Sequence, residues 1–233
     1  MFVFLFLYSF VTLEALSFRG KMTGHHALIF GASGITGWAI TNQILNNYPE
    51  SSTFSKVTAL TNRPLSLEQA LWPESKKLQL VSGLDLLTEK GQSGLEQEMQ
   101  ERIQDMGTVS HVYFFSYIMD PDPSKEISIN VELLERAITA VEQLSKSLKF
   151  VVLPTGTKAY GVHLIEKFPF SKDVPMAESL PRIPEPYASQ MFYYNQVDRL
   201  IELSASKPWT WCEVRPDVIV GVSSFTTPPC TIP

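Results

Sequence analysis

The residues best suited to chemistry begin with three glycines, Gly31, Gly34 and Gly37, in the segment ALIFGASGITGWAI. Glycine at this spacing lets a chain turn sharply out of a strand, lets the backbone approach a phosphate, and lets a helix pack closely on that strand. The N–H groups at the start of such a helix favour a bound pyrophosphate. We therefore predict a dinucleotide-binding turn formed by Gly31, Ser33, Gly34, Ile35 and Gly37. A tight strand-to-helix turn without a ligand is the alternative.

The residues after the second predicted strand favour one of the two nicotinamide cofactors. A carboxylate there would bind the ribose 2′-hydroxyl of NAD, whereas a basic residue would bind the 2′-phosphate of NADP. The sequence has Thr61, Asn62 and Arg63 and no carboxylate at this point, which favours NADPH. A solvated loop arginine is the alternative. Asp85, beyond the third predicted strand, is expected either to contact the adenine or to cap a turn.

Two further segments are expected to meet over the nicotinamide, because ligands bind beyond the carboxyl ends of parallel strands. They are VVLPTGTKAYG (151–161) and EPYASQMFYYNQVDRL (185–200). Between them they contain the candidate proton donors, which are Lys158, Tyr160, Tyr193 and Tyr194.

Tyr194 departs from the pattern of short-chain dehydrogenases, in which a tyrosine precedes a lysine by four residues and the lysine lowers the tyrosine pKa. Here Asp198 holds the lysine position, and a lysine occurs instead at Lys158 in the preceding loop. Adjacent helical residues point about 100° apart, so only one of Tyr193 and Tyr194 can face the site. The sequence leaves that choice open, with Tyr194 preferred.

The rest of the chain must position these residues, and from residue 27 it alternates β-rich runs with helical patterns. This alternation predicts an α/β fold with a doubly wound, Rossmann-type parallel sheet. The six predicted strands are 27–30, 56–60, 78–81, 112–116, 149–153 and 210–214.

The segments between the strands have different expected roles. An apolar stripe from Val131 to Leu144 predicts a helix packed on the sheet. Asn130 is expected to open that helix, either with a role in the site or equally as a helix cap. The charged segment 94–106 predicts a solvent-facing crossover. Five prolines between residues 169 and 186 predict an extended loop, followed by a helix from about Met191.

Composition excludes several classes of function. A formal charge of −5 offers no basic field for a nucleic-acid backbone, so we expect no nucleic-acid partner. We also expect no metal site, because the four histidines lack metal-ligand spacing. The GASG segment is not the nucleophile elbow of a hydrolase. Two cysteines and no glycosylation sequon suit a reducing compartment, and we expect a cytoplasmic protein.

The apolar run at residues 1–18 complicates that expectation. It is short for a membrane span and lacks the positive flank of a signal peptide. We expect translation to start at Met22; otherwise the run would act as a secretory or membrane-tethering segment, and only then would membrane contact follow. The predicted divisions are an extension at 1–21, a Rossmann domain at 22–221 and an irregular tail at 222–233.

The chain resembles the progesterone 5β-reductase and iridoid synthase-like family of atypical extended short-chain dehydrogenases, and a fungal-type member in particular. The matching motifs are GASGITG, TNRP, TGTKAYG, the proline-rich loop, FYYNQVD and WTWCEVRPDVIVG. The resemblance implies NADPH-dependent reduction of the carbon–carbon double bond of a small-molecule enone, or of a related carbonyl. It also implies that Tyr194 stabilises the developing enolate oxygen and that Lys158 assists it.

The resemblance also implies a large carboxy-terminal segment after Gly221, where this sequence has only twelve more residues. We therefore expect a truncated chain that lacks most of the substrate lobe. Two hypotheses remain open at this stage, an NADPH-dependent reductase and a dinucleotide-binding module without turnover. The substrate and the oligomeric state are not predicted.

Overall fold

The computed structural model describes residues 24–221. These residues build a parallel six-stranded sheet with the order β3-β2-β1-β4-β5-β6, which confirms the predicted Rossmann-type α/β fold. The predicted extension at 1–21 and tail at 222–233 lie outside the described residues. The strands are β1 (His25–Phe30), β2 (Phe54–Thr61), β3 (Leu78–Ser82), β4 (His111–Phe114), β5 (Phe150–Pro154) and β6 (Thr210–Val214).

The central strand β1 is apolar on both faces because helices cover the sheet on both sides. Leu28 and Phe30 point into one core, which continues through α3 and α4, and Ala27 and Ile29 point into the other, beside α1. All four side chains are buried. The helices are α1 (Ile35–Leu45), α2 (Leu67–Ala70), α3 (Gly91–Arg102), α4 (Pro123–Leu144) and α5 (Phe192–Ser204).

The helix α4 confirms the predicted apolar stripe but begins earlier than expected. Leu134, Ile138 and Val141 are fully buried on the sheet. Asp122 caps the helix by accepting hydrogen bonds from the backbone of the first turn, and Pro123 begins it. The expectation that Asn130 opens this helix is therefore wrong, since Asn130 lies in its interior.

The charged crossover and the proline-rich loop largely have the structure that their composition predicts. The charged crossover contains α3, which buries Leu95 and Met99 in the core although most of its surface is polar. The proline-rich loop at 169–186 contains no helix or strand, as predicted, and buries Phe170 and Ile183 in a small satellite cluster against α5. Within residues 24–221, no helix is both long and apolar enough to cross a bilayer.

Candidate functional site

The strand order reverses between β1 and β4, and this break opens a crevice at the carboxyl edge of the sheet. A crevice of this kind is where ligands bind in open α/β sheets. The turn after β1, the loop after β4 and the turn after β5 all begin at this edge. The predicted site residues on these turns are therefore brought to one side of the molecule.

The glycine turn has the geometry that a dinucleotide cradle requires. Gly31 has φ of +74°, and a β-carbon there would lie 2.7 Å from the backbone of Phe115 at the end of β4. A β-carbon on Gly37 would lie 2.3 Å from the carbonyl oxygen of Gly31. Both glycines are thus required by close backbone packing. Gly34 is exposed, and its nearest neighbour would be 3.4 Å away, so this position is open toward the crevice.

The start of α1 presents N–H groups without a side-chain cap. Gly34 is the cap residue and makes no side-chain hydrogen bond. Ser33 and Ile35 flank it and are half-buried. The chain after β6 also reaches this point, since a β-carbon on Gly221 would lie 3.2 Å from the Ile35 side chain. The uncapped amides and the helix dipole fit the phosphates of a dinucleotide.

We expect Gly37→Ala to lower the free energy of unfolding by about 1–3 kcal/mol, because its methyl group would overlap the Gly31 carbonyl. Binding of NADPH is expected to weaken with it, since the turn must shift. Chemical denaturation and a fluorescence titration with NADPH measure the two effects. Gly107→Ala is the matched control, because a β-carbon there meets its nearest atom at 3.8 Å. Equal stability of the two variants would contradict the prediction.

A side-chain hydrogen bond orders the start of the segment after β2. The Thr61 hydroxyl donates a hydrogen bond to the Arg63 carbonyl at 2.7 Å, and Asn62 and Arg63 are exposed at the carboxyl edge. Asp85 is also exposed, and its carboxylate accepts a hydrogen bond from the Leu87 backbone at 3.0 Å. Of the two roles predicted for Asp85, the structure shows the turn cap.

The two adjacent tyrosines of α5 differ sharply in surroundings. Tyr194 is buried, and its hydroxyl donates to the Ala159 carbonyl at 2.5 Å and accepts from the Ile183 backbone N–H at 3.0 Å. Both hydrogen bonds are internal, so this phenol is engaged in holding two loops. Tyr194, which the sequence favours as the reacting hydroxyl, is thus held by two backbone groups in this structure, and its catalytic role stays a prediction.

Tyr193 points toward the turn after β5. Its hydroxyl lies 3.5 Å from the place that a β-carbon on Gly156 would occupy. Burial raises the pKa of Tyr193, and the neighbouring Tyr117 and Glu126 raise it further. The phenol therefore stays protonated at neutral pH and can donate a hydrogen bond.

Lys158 lies two residues after Gly156 in a short 3₁₀ turn, Thr157–Tyr160, which we call the lysine turn. Its side chain is exposed. Its ammonium group contributes to lowering the pKa of His163, after the larger effect of burial. The pKa of Tyr193 is raised mainly by burial, with Tyr117 and Glu126 adding to it.

Two supports of the site were not predicted from the sequence. Asn130, fully buried in α4, accepts a hydrogen bond from the Ile118 N–H and donates one to the Ile118 carbonyl, which fixes the loop after β4. The Asn130 carbonyl in turn accepts from Gln196 on α5 at 2.9 Å. An isolated Asn in a helical pattern was the available signal, but its partners are distant in sequence.

The second support ties the lysine turn to β6. Arg215 lies over the Tyr160 ring at 4.9 Å and donates to Glu213, which itself accepts from Thr155 at 2.6 Å. Within residues 24–221, no cluster of three or more His, Cys, Asp or Glu side chains is arranged to hold a metal ion.

Residues 27–227 match the family model described as a PRISE-like Rossmann-fold domain. The short chain dehydrogenase ausT of Aspergillus calidoustus is 38% identical over 200 residues, which are 84% of this chain and 48% of that protein. The (S)-8-oxocitronellyl enol synthase of Nepeta racemosa is 27% identical over 205 residues, covering 86% of this chain and 47% of the relative. This chain thus spans about half the length of these relatives.

Solved structures share the fold at low sequence identity. Gre2 from Candida albicans, in complex with NADPH, superposes with a TM-score of 0.56 at 12% identity, over 86% of this chain and 60% of Gre2. The Bordetella bronchiseptica enzyme WbmG, in complex with NAD and UDP, gives a TM-score of 0.53 at 16% identity, over 82% of this chain and 53% of WbmG. With the family match over most of its length, the chain belongs to the PRISE-like Rossmann-fold family.

Proposed function

We propose that this chain binds NADPH and acts in the reduction of a small-molecule enone, or a related carbonyl, by hydride transfer. The observation that carries the proposal is the Tyr193 hydroxyl, a protonated donor beside Gly156 at the carboxyl edge of the sheet. It lies on the same edge as the glycine turn that fits a dinucleotide. The family match and the relatives' description as short chain dehydrogenases support an oxidoreductase.

Different residues of the chain are expected to bind different parts of NADPH. Gly31 and Gly37 let the turn after β1 close tightly, and the uncapped N–H groups around Gly34 receive the pyrophosphate. Asn62 and Arg63 lie where the adenosine ribose is expected, at the end of β2. When bound, NADPH supplies the hydride.

Tyr193 acts on the substrate oxygen in this proposal. Hydride addition to the β-carbon of an enone leaves negative charge on that oxygen, and a donor aimed at it stabilises the transition state. The raised pKa of Tyr193 keeps the donor proton in place. Lys158 adds a positive charge on the neighbouring turn, which favours the same developing anion.

NADPH rather than NADH is supported by Arg63 and the lack of a carboxylate beside it. We expect Arg63→Glu to weaken NADPH binding about 10- to 100-fold, because charge-assisted hydrogen bonds of 1.5–3 kcal/mol are lost. NADH binding is expected to strengthen, since the new carboxylate can accept from the 2′-hydroxyl. Titrations with NADPH and NADH give the ratio of the two dissociation constants. An unchanged ratio in Arg63→Glu would contradict the assignment of Arg63. Lys76→Glu, a change of the same charge after α2, is the control.

The substrate class rests on the family resemblance and on the enol synthase of Nepeta racemosa among the relatives. The test measures NADPH binding and enone-dependent loss of NADPH absorbance on the same preparation, with simple enones, aldehydes and ketones. Turnover of enones supports the proposal, and turnover of carbonyls alone supports only its broader form. Binding without any turnover would overturn the reductase and favour a dinucleotide-binding module.

A further inference from the structure

The face of the sheet that lies opposite α3, α4 and α5 is covered only in part. Beside α1, the strand residues on this face, such as Ala27, Ile29 and Val57, are fully buried. On β5 and β6, which pair side by side, the residues on this face are only half-buried. We call these five residues the bare face, and they are Phe150, Val152, Pro154, Cys212 and Val214.

The described helices all pack elsewhere. α1 and α2 contribute to the core on β1 and β2, and none of the described residues of that core comes from β5 or β6. α3, α4 and α5 pack on the opposite face, where they bury Val151 and Leu153 of β5. Because parallel strands are normally covered on both faces, the apolar bare face has the composition of a surface that another segment covers.

The chain enters the sheet beside the bare face. His25, the first residue of β1, lies on this side of the sheet, and the centre of its ring is 4.3 Å from that of His111. The His111 ring is in turn 6.3 Å from the ring of Phe150, where β5 begins. The residues that precede β1 are therefore joined to the sheet at the corner where the bare face starts.

Those preceding residues contain an apolar run. In MFVFLFLYSFVTLEALSF, residues 1–18, the side chains that are neither aliphatic nor aromatic are Ser9, Thr12, Glu14 and Ser17. Residues 19–23, RGKMT, are more polar and connect the run to β1. Water contact with such a run is unfavourable, so one chain contains both an apolar segment and an apolar surface beside it.

The connection is long enough to bring the two together. In the order β1-β4-β5-β6, the last strand lies three spacings from the first, which is about 14 Å. Residues 19–23 can extend to about 17 Å. Residues 1–18 would be about 27 Å long even as a helix, whereas a five-residue strand such as β6 is about 17 Å long.

We propose that residues 1–18, in the chain that starts at Met1, dock on the bare face of β5 and β6. The aliphatic and aromatic side chains of the segment cover Val152, Cys212 and Val214, and apolar surface is removed from water on both sides of the contact. This docking is independent of NADPH and of any turnover.

The thiol of Cys212 lies within the bare face and reports whether it is covered. In a Cys230→Ser background, we compare the rate at which a small maleimide modifies Cys212 in chain 1–233 and in chain 22–233. We expect a rate at least about 10-fold lower in the longer chain, because the reagent reaches a covered thiol only after local opening. Ser128→Cys, exposed on α4 at the other face of the sheet, is the control and should react equally in both chains.

A substitution in the full chain gives the same test without truncation. Phe6→Glu places a charge in the apolar run, and burying an unpaired charge is costly. We expect it to raise the modification rate of Cys212 in chain 1–233 by about 10-fold or more, since the segment no longer docks. Arg19→Glu introduces the same side chain in the connecting residues and should leave the rate unchanged.

Each outcome decides the proposal. A low, concentration-independent rate at Cys212 in chain 1–233, raised by Phe6→Glu, supports it. Equal rates in the two chains would overturn it, even if both are low because residues 222–233 cover the face. Protection that grows with protein concentration would assign the face to a second copy. Equal rates together with binding of chain 1–233 to phosphatidylcholine vesicles would assign residues 1–18 to a membrane. If chain 22–233 does not fold, Phe6→Glu against the unsubstituted chain decides alone.

Discussion

Replacing Tyr193 with phenylalanine is expected to lower kcat for enone reduction about 100- to 1,000-fold, the usual cost of removing an oxyanion donor. The ring remains, so its edge contact with Phe192 is retained and the fold is expected to survive. The KM for NADPH should stay near its original value, because the hydroxyl acts on the substrate oxygen. Steady-state kinetics with NADPH and a small enone measure both constants.

Tyr194→Phe is the matched comparison for this substitution, since it removes the same atom from the adjacent residue. Tyr193→Phe should leave in place the hydrogen bonds of the Tyr194 hydroxyl to Ala159 and Ile183. A Tyr193→Phe variant with unchanged kcat would show that this phenol is not the donor. A 100- to 1,000-fold loss of kcat in Tyr194→Phe, with Tyr193→Phe unchanged, would assign the donor role to Tyr194.

A second prediction is that the protein loses stability in acid, because of His26 and His111 near the amino edge of the sheet. Burial lowers the pKa of each to about 4; nearby Lys56 adds to the effect at His26, and His25 and Lys149 add to it at His111. Asp105 opposes the shift at His26. The native state therefore holds these rings neutral at a pH where the unfolded chain protonates them.

The lowered pKa values of the two rings determine how the free energy of unfolding changes with pH. Between about pH 6.5 and pH 4 the unfolded chain binds more protons than the native protein, so the free energy of unfolding falls as the pH falls. At about 1.36 kcal/mol per pKa unit, His26 and His111 each contribute about 3 kcal/mol by pH 4. Because domains of this size are stable by about 5–15 kcal/mol, we expect the two rings together to remove a large part of the free energy of unfolding by pH 4.

Denaturant titrations at several pH values between 7 and 4.5 measure this slope. His26→Gln removes the titrating ring and should flatten the slope, although it also weakens the protein at pH 7 by losing bonds to Thr58 and Thr108. His163→Gln, at an exposed position, should flatten the slope less than His26→Gln does, since His26 is buried. Identical slopes in His26→Gln and the unsubstituted chain would contradict the assignment.

The fold could be predicted because short stretches of the sequence are enough to indicate its strands and its glycine turn. All six strands were expected within about two residues of where they lie, since buried parallel strands are continuous apolar runs. The glycine turn was equally accessible, because spacing and context together indicate a strand–turn–helix unit. The start of α4 was missed because the Asp-Pro signal at Asp122 and Pro123 precedes the apolar stripe by two turns.

The choice between the tyrosines could not be made from sequence. Tyr193 and Tyr194 are identical in type and adjacent, so no composition or period separates them. Their roles are set by partners far away along the chain, since Tyr194 bonds to Ala159, 35 residues before it. The ion pair between Arg182 and Asp198 was missed for the same reason, because it depends on the path of a loop without regular structure.

The side-chain and backbone bonds of Asn130 make one wall of the crevice stiff. The loop after β4 is tied through this residue to α4, and α4 to α5 through Gln196, so these three elements move together. On the other side, the Trp38 indole of α1 donates to the Ala70 carbonyl at 2.6 Å, and the Trp72 indole donates to the Trp38 carbonyl at 3.2 Å, so α1 is tied to the segment after β2. A dinucleotide is therefore expected to enter between two sides that are each held by internal hydrogen bonds, so that little conformational entropy is lost when it binds.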